Sequence, residues 1–148
     1  MKWLLDTNVI SENVSRQANP NVEEWIGEQP VEETGLSAVT LAELADGIAL
    51  TTDQRRKDEL TLWLDAGVIS RFNDRIVPVS TEVLLDWLGL TRELGARGRP
   101  QAAADMLIAS TCRVHDLTLV TRNTRDFANT GITVYNPWTD ETQKMEAP

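Results

Sequence analysis

Cysteine and histidine are almost absent from this chain of 148 residues, which has one of each, Cys112 and His115. One thiol closes no internal disulfide, and one imidazole beside one thiol cannot assemble the Cys/His clusters that hold zinc, so zinc-type chemistry is not expected. Long apolar runs are missing as well. No stretch approaches the eighteen or so consecutive apolar residues of a membrane span. The apolar start MKWLLDTNVISENV is interrupted by Asp6, which leaves no unbroken signal-peptide core. A cytoplasmic protein with no membrane contact is the expectation. Positive charge is also scarce, with 14 Lys and Arg against 23 Asp and Glu and a net charge of -9. Such a chain repels polyanions as a whole, which excludes nucleic-acid binding by global electrostatics and favours a basic protein or peptide as partner.

Local chemistry can still differ from the global sign, because a metal ion in an acidic cleft reverses the field around it. Most of the basic residues are arginine, and Arg92, Arg97 and Arg99 lie close in sequence, as do Arg122 and Arg125. Arginine suits bidentate phosphate contacts; the simpler reading of both groups is a solvated face that balances the acids. With 41% hydrophobic and 25% charged residues, usage is ordinary for a globular protein, and the length suits one domain that buries a core unaided.

The chain reads as strands alternating with helices. Lys2 to Leu5 is a short apolar strand, and Asp6-Thr7-Asn8 supplies polar caps for a helix from Val9. Asn19-Pro20 breaks that segment before a second short helix carrying Val22, Trp25 and Ile26. Thr34 to Ser37 is a candidate strand. Thr40 opens a helix with Leu41, Leu44 and Ile48 on one face, paired with a second helix over Asp53 to Ile69 that carries Leu60, Trp63 and Leu64. Ile76, Val77 and Val79 form a strand broken by Pro78, followed by a helix from Ser80 or Thr81 to about Leu94 and a loop from Gly95 to Pro100. A helix from Gln101 to Val114, a strand from Leu117 to Val120, a helical turn near Arg125 and a strand from Thr133 to Tyr135 complete the pattern. This alternation predicts a three-layer α/β fold, a short-stranded parallel sheet flanked by helices on both faces, in one domain over residues 1–138. The tail, residues 139–148, shows no core pattern and is expected to fray.

In open parallel sheets the functional crevice lies beyond the carboxyl ends of the strands. Asp6 directly follows the first strand, Glu43 sits in the first turn after the Thr34 to Ser37 strand, and Asp126 comes soon after the Leu117 to Val120 strand. Asp105 starts the helix before that last strand, and a simple antiparallel crossover is expected to leave it at the opposite end. Each acid also has a local explanation. Asp6 can cap a helix, Glu43 stands at capping-box spacing from Thr40, Asp105 follows Pro100 into a first turn, and Asp126 stands three residues after Asn123. Gathered into one cleft, the acids would repel one another and need a cation. Carboxylates without histidine or thiol are hard oxygen ligands that select Mg²⁺ or Mn²⁺, and the chemistry they imply is phosphodiester hydrolysis.

The segments LLDTNVISE, SAVTLAELADGI, AAADMLIAST and LTLVTRNTRDF, with the closing NPW, resemble the PIN-domain toxins of type II toxin-antitoxin systems, VapC and especially its FitB-like branch. The resemblance spans Leu4 to Trp138. It implies a PIN-like fold and a Mg²⁺-dependent endoribonuclease, with Mn²⁺ as a substitute, acting on RNA of the tRNA or ribosomal class. The catalytic and metal-binding carboxylates carry over onto Asp6, Glu43, Asp105 and Asp126, and the start of the Asp105 helix is brought to the acidic pocket. Thr7, Thr121 and Asn123 match polar positions that hold metal waters or phosphate oxygens, although a local turn or cap also accounts for them. Some FitB-like members carry an aspartate where this chain has Asn123; Asp126, three residues later, stands as its substitute. The resemblance further implies a homodimer and a cognate antitoxin of the VapB or FitA type. The antitoxin's N-terminal part binds operator DNA and its C-terminal segment covers the cleft, so DNA is met only through the antitoxin, with higher heteromers as an extension.

Three other readings stand beside this one. A catalytically weak PIN-fold module acting through the antitoxin and operator complex would keep partner binding without metal binding. A phosphatase of the haloacid-dehalogenase type would use Asp6 as nucleophile, but its Asp-x-Asp signature meets Asn8 here. A general single-strand nuclease of RNA processing or DNA repair lacks room for an added nucleic-acid domain. Trp25, Leu60, Trp63 and Leu64 are assigned to the core ahead of an interface, and Cys112 and His115 to packing or surface.

Overall fold

The computed structural model describes residues 1–99 and 101–148; Pro100, the end of the expected loop before the Asp105 helix, lies outside the described residues. The chain runs β1 (Trp3–Leu5), α1 (Thr7–Glu12), α2 (Pro20–Glu28), β2 (Thr34–Ser37), α3 (Ala38–Ala49) and α4 (Gln54–Leu62). A π-helical stretch, Trp63–Ile69, leads into α5 (Ser70–Phe72), followed by β3 (Ile76–Val77), α6 (Thr81–Ala96), α7 (Ala103–His115), β4 (Thr118–Val120), β5 (Thr133–Asn136) and β6 (Glu141–Lys144).

The strands form one sheet in the order β3-β2-β1-β4-β5-β6. The pairs from β3 to β5 are parallel and β5–β6 is antiparallel, so the sheet is mixed at one edge. Each parallel strand is buried on both sides, and the period-2 alternation of side chains divides the core into two layers. Leu4, Leu119 and Val134 face one core with Leu90 and Leu94 of α6 and Met106 and Ile108 of α7. Their neighbours Leu5, Val120 and Tyr135 face the other with Val9, Val22, Leu44 and Phe72. These two cores make the three layers that the alternation predicts.

Short polar residues start the helices. Asp6, Asn19, Ser37, Asp53 and Ser80 each accept a hydrogen bond from a backbone N–H of the helix that follows. Ser37 corrects the expected capping box. Helix α3 starts at Ala38, so Thr40 lies inside it, 1% exposed, and Glu43 falls in the second turn instead of the first. Helix α6 runs two residues into the expected Gly95 to Pro100 loop. Strand β3 stops at Val77 because Pro78 has no N–H to give a ladder. Leu64 is buried, while Trp25, Leu60 and Trp63 are partly buried and pack against the second core.

The tail expected to fray is ordered. Residues Glu141–Lys144 pair with β5 in register from Thr133↔Lys144 to Asn136↔Glu141, and Met145, 7% exposed, anchors the far end in the core. ETQK is exposed throughout, so the pairing rests on backbone hydrogen bonds and leaves no hydrophobic pattern in the sequence.

Candidate active site

Strand order reverses at the β1–β4 seam: β2 follows on one side of β1 and β4 lies on the other. Crevices in parallel sheets form at such a reversal, beyond the strand ends. Asp6 and Thr121 are the residues that leave β1 and β4 there, just past the paired Leu5 and Val120. The Asp6 N–H donates to Val120 O at 2.9 Å, which fixes the carboxylate against the sheet edge.

Asp6 is 6% exposed. Its Oδ1 accepts from the Thr7 N–H at 2.8 Å, and its Oδ2 accepts from the Thr121 hydroxyl at 2.8 Å and Asn8 Nδ2 at 3.3 Å. Burial pushes its pKa up and the charge of Asp126 adds to that; the bonds from Thr121, Thr7 and Asn8 pull the other way without cancelling it. Thr121 Oγ1, while donating to Asp6, accepts from Asn8 Nδ2 at 3.2 Å and from the Asn123 N–H at 3.1 Å, which uses its full capacity. The Thr7 hydroxyl donates to Glu43 Oε1 at 2.8 Å, tying the start of α1 to α3.

Asp105 lies in the first turn of α7, half-buried, with its pKa raised to about 6 by burial and then by the charges of Asp126, Asp6 and Glu43. The four acids therefore share one electrostatic environment. The expectation that a simple antiparallel crossover leaves Asp105 at the opposite end is overturned. A helix running back to start β4 must begin at the edge where the parallel strands finish, and there the first turn of α7 faces the end of β1. Asp126 is exposed in a 3₁₀ turn, Thr124–Phe127, with its N–H donating to Asn123 O at 3.2 Å. Asn123, also exposed, joins the network through its backbone N–H.

Asn8 is a site residue that the sequence shows only as a cap and as a departure from the Asp-x-Asp signature. Besides its bonds to Asp6 and Thr121, its Oδ1 accepts from the Arg122 N–H at 3.0 Å, so one amide braces both strand ends. The signal available was its place in Asp6-Thr7-Asn8. The Arg122 guanidinium lies 5.4 Å from the Trp138 ring centroid at the same end of the sheet.

No ion pair among the described residues involves Asp6, Glu43, Asp105 or Asp126. Nor do three His, Cys, Asp or Glu groups among those residues form a ready-made metal cage. An all-oxygen, negatively charged set with open spacing fits Mg²⁺ or Mn²⁺, which keep several waters and take one or two carboxylates directly. A largely apolar trough of about 340 Å³ adjoins Glu43; Thr7, Leu44, Ile48, Leu60, Trp63 and the basic Arg56 are among its lining residues. Cys112 is fully buried with its thiol pKa pushed far up, which keeps it an inert packing group.

A parallel sheet with a buried carboxylate at its reversal point, joined by three further acids and no thiol or imidazole, defines an α/β domain with an acidic cleft. The PIN domain family matches residues 3–132. Toxin FitB of Neisseria gonorrhoeae is 38% identical over 137 residues, 93% of this chain and 99% of that protein. The VapC ribonuclease Y4jK of Sinorhizobium fredii is 32% identical over 91% of this chain and 96% of its own length. The solved structure of FitAB bound to an IR36 DNA fragment superposes with a TM-score of 0.85 at 35% identity, covering 92% of this chain and 95% of that one. The chain belongs to the PIN-domain family, in the FitB-like branch of the VapC toxins.

Proposed function

We propose that this protein is the toxin of a type II toxin-antitoxin system: a Mg²⁺-dependent endoribonuclease that hydrolyses RNA phosphodiester bonds, of the tRNA or ribosomal class, and is silenced by a cognate antitoxin. The observation that carries the reading is the shared environment of Asp6, Glu43, Asp105 and Asp126 at the β1–β4 seam, with no ion pair to any of them among the described residues. The relatives named ribonuclease and toxin support it.

Asp6 and Asp105 are the groups best placed to hold the ion, with Glu43 and Asp126 beside them. When bound, Mg²⁺ or Mn²⁺ supplies positive charge against the phosphate oxygens and acidifies water. Thr121 and Asn8 hold the Asp6 carboxylate in one orientation, and Thr7 does the same for Glu43. Asp105 has a pKa raised to about 6 by burial and the neighbouring acids in the metal-free site, and a bound cation would hold it ionised as a ligand. Asn123, whose side chain is exposed, is assigned to positioning phosphate oxygens or waters, while the Thr121 hydroxyl, with its hydrogen-bonding capacity used within the network, positions Asp6.

The antitoxin is proposed to cover the acids and the adjoining apolar trough, a surface suited to a segment with both basic and apolar side chains. DNA is met through the antitoxin, as the likeness to a DNA-bound FitAB structure supports. The working unit is a cytoplasmic homodimer able to form larger complexes with antitoxin; no described helix is long and apolar enough to cross a membrane. The test is expression without antitoxin in a bacterial host. Growth arrest relieved by Asp6→Asn supports the reading, and equal toxicity of the two proteins overturns it.

A further inference from the structure

Helix α2 and the turn joining β5 to β6 line a surface cleft of about 400 Å³ whose walls are aromatic and whose rim is acidic. Trp25 and Tyr135 lie with ring centroids 5.0 Å apart, and Trp3 packs edge-on to Trp25 at 5.2 Å, which holds the wall rigid. Trp138 forms part of the same lining. The Arg122 guanidinium lies over the Trp138 ring, 5.4 Å from its centroid, an internal example of the contact this ring makes.

Three carboxylates, Glu24, Glu28 and Asp140, also belong to the lining. Glu24 and Glu28 are exposed and one helical turn apart on α2, an arrangement of like charges that weakens a helix. No ion pair among the described residues relieves them. Asp140 accepts the Tyr135 hydroxyl at 2.8 Å. The Tyr135 pKa is pushed up to about 12 by burial, then by that hydrogen bond and by the charges of Asp140 and Glu28, so the field of the rim converges on the aromatic wall.

Aromatic walls alone accept either a nucleobase or a guanidinium. The carboxylates decide between them, since the phosphates flanking a base would face three negative charges whereas a cation is attracted. We propose that this cleft docks an arginine-bearing basic segment of a partner polypeptide, with a guanidinium against Trp25 and Trp138 and its charge met by Glu24, Glu28 and Asp140. The planar guanidinium both stacks and forks to carboxylates, which a lysine ammonium does not. The cleft shares no lining residue with the four-acid site and does not depend on RNA hydrolysis.

The test is titration of the full chain with a blocked tetra-arginine peptide, read by NMR at the five indole N–H signals, each assigned by a single Trp→Phe variant. The expected result is that the Trp25 and Trp138 signals move most. The double variant Glu24→Gln/Glu28→Gln, its fold checked by circular dichroism, is expected to bind about tenfold or more weakly, while Glu43→Gln binds as the wild type does. Binding lost in Glu43→Gln and kept in the double variant overturns the proposal, because the peptide then occupies the four-acid site. Oligouridylate moving the same two signals while the peptide leaves them still also overturns it, in favour of an RNA surface. No movement with either probe overturns it as well.

Discussion

The Thr121 hydroxyl donates to Asp6 at 2.8 Å across a sequence separation of 115 residues. One bond thereby joins the ends of β1 and β4 and holds a nearly buried carboxylate at the point where strand order reverses. Removing it is expected to leave Asp6 and the Asn8 amide short of partners. Thr121→Val keeps the shape without the hydroxyl and should destabilise the protein by about 1–3 kcal/mol, while Thr121→Ser costs much less. Urea unfolding of the three proteins checks this; a Val variant as stable as wild type would show that the bond is incidental.

The four acids should make divalent-ion binding and stability interdependent. Mg²⁺ or Mn²⁺ added to metal-free protein is expected to raise Tm progressively with concentration, because the ion binds the folded state alone. Asp6→Asn and Asp105→Asn each remove a charge without changing side-chain size and should weaken that response about tenfold or more. An unchanged Mn²⁺ titration in both variants would remove them from the ion site.

Asp105 gives the pH dependence a definite sign. Its folded pKa is raised to about 6 from 3.8, so between those values the folded protein holds more protons than the unfolded chain, and stability falls as pH rises through the window. Metal-free protein should thus gain from this group at pH 5 relative to pH 7. Asp105→Asn should raise its stability at pH 7 by about 1 kcal/mol, allowing for solvent screening of a half-buried group. Thermal melts of both proteins at pH 5 and 7 check the sign; a variant less stable than wild type at pH 7 contradicts it.

Strand β6 closes the edge of the sheet, and its loss should be felt. Truncation after Asp140 removes the β5 partner and buried Met145. It is expected to cost about 2–3 kcal/mol from the methionine alone and to expose an edge prone to association. Light scattering and urea unfolding of the truncated chain give the answer; an equally stable monomer would show that the tail is dispensable.

Much of this fold is legible in the sequence, for identifiable reasons. The candidate strand Thr34 to Ser37 forms with those bounds, and the helices follow from their apolar spacing and caps. What stayed hidden involves information that a linear pattern does not carry. Strand β6 has no inward-facing alternation to display. Ser37 ends a strand and caps a helix at once, so Thr40 looked like the cap. Asp105 reaches the acids through the start of its helix, a placement that the resemblance implies and that the order of elements, read as a simple crossover, does not. Asn8 gains its role only when β4 arrives beside β1, bringing Thr121 and Arg122 from the far half of the chain. The acids themselves stood out because each follows or faces a strand end, but their mutual influence is a property of the folded sheet.

The central claim is metal-dependent RNA cleavage at the site built around Asp6. The most direct measurement incubates purified, antitoxin-free protein with total bacterial RNA, with and without Mg²⁺ or Mn²⁺, alongside Asp6→Asn. Discrete cuts that require the ion and vanish in the variant are the expected result. Intact RNA in the presence of folded, metal-bound wild-type protein, or equal cutting by Asp6→Asn, would contradict it.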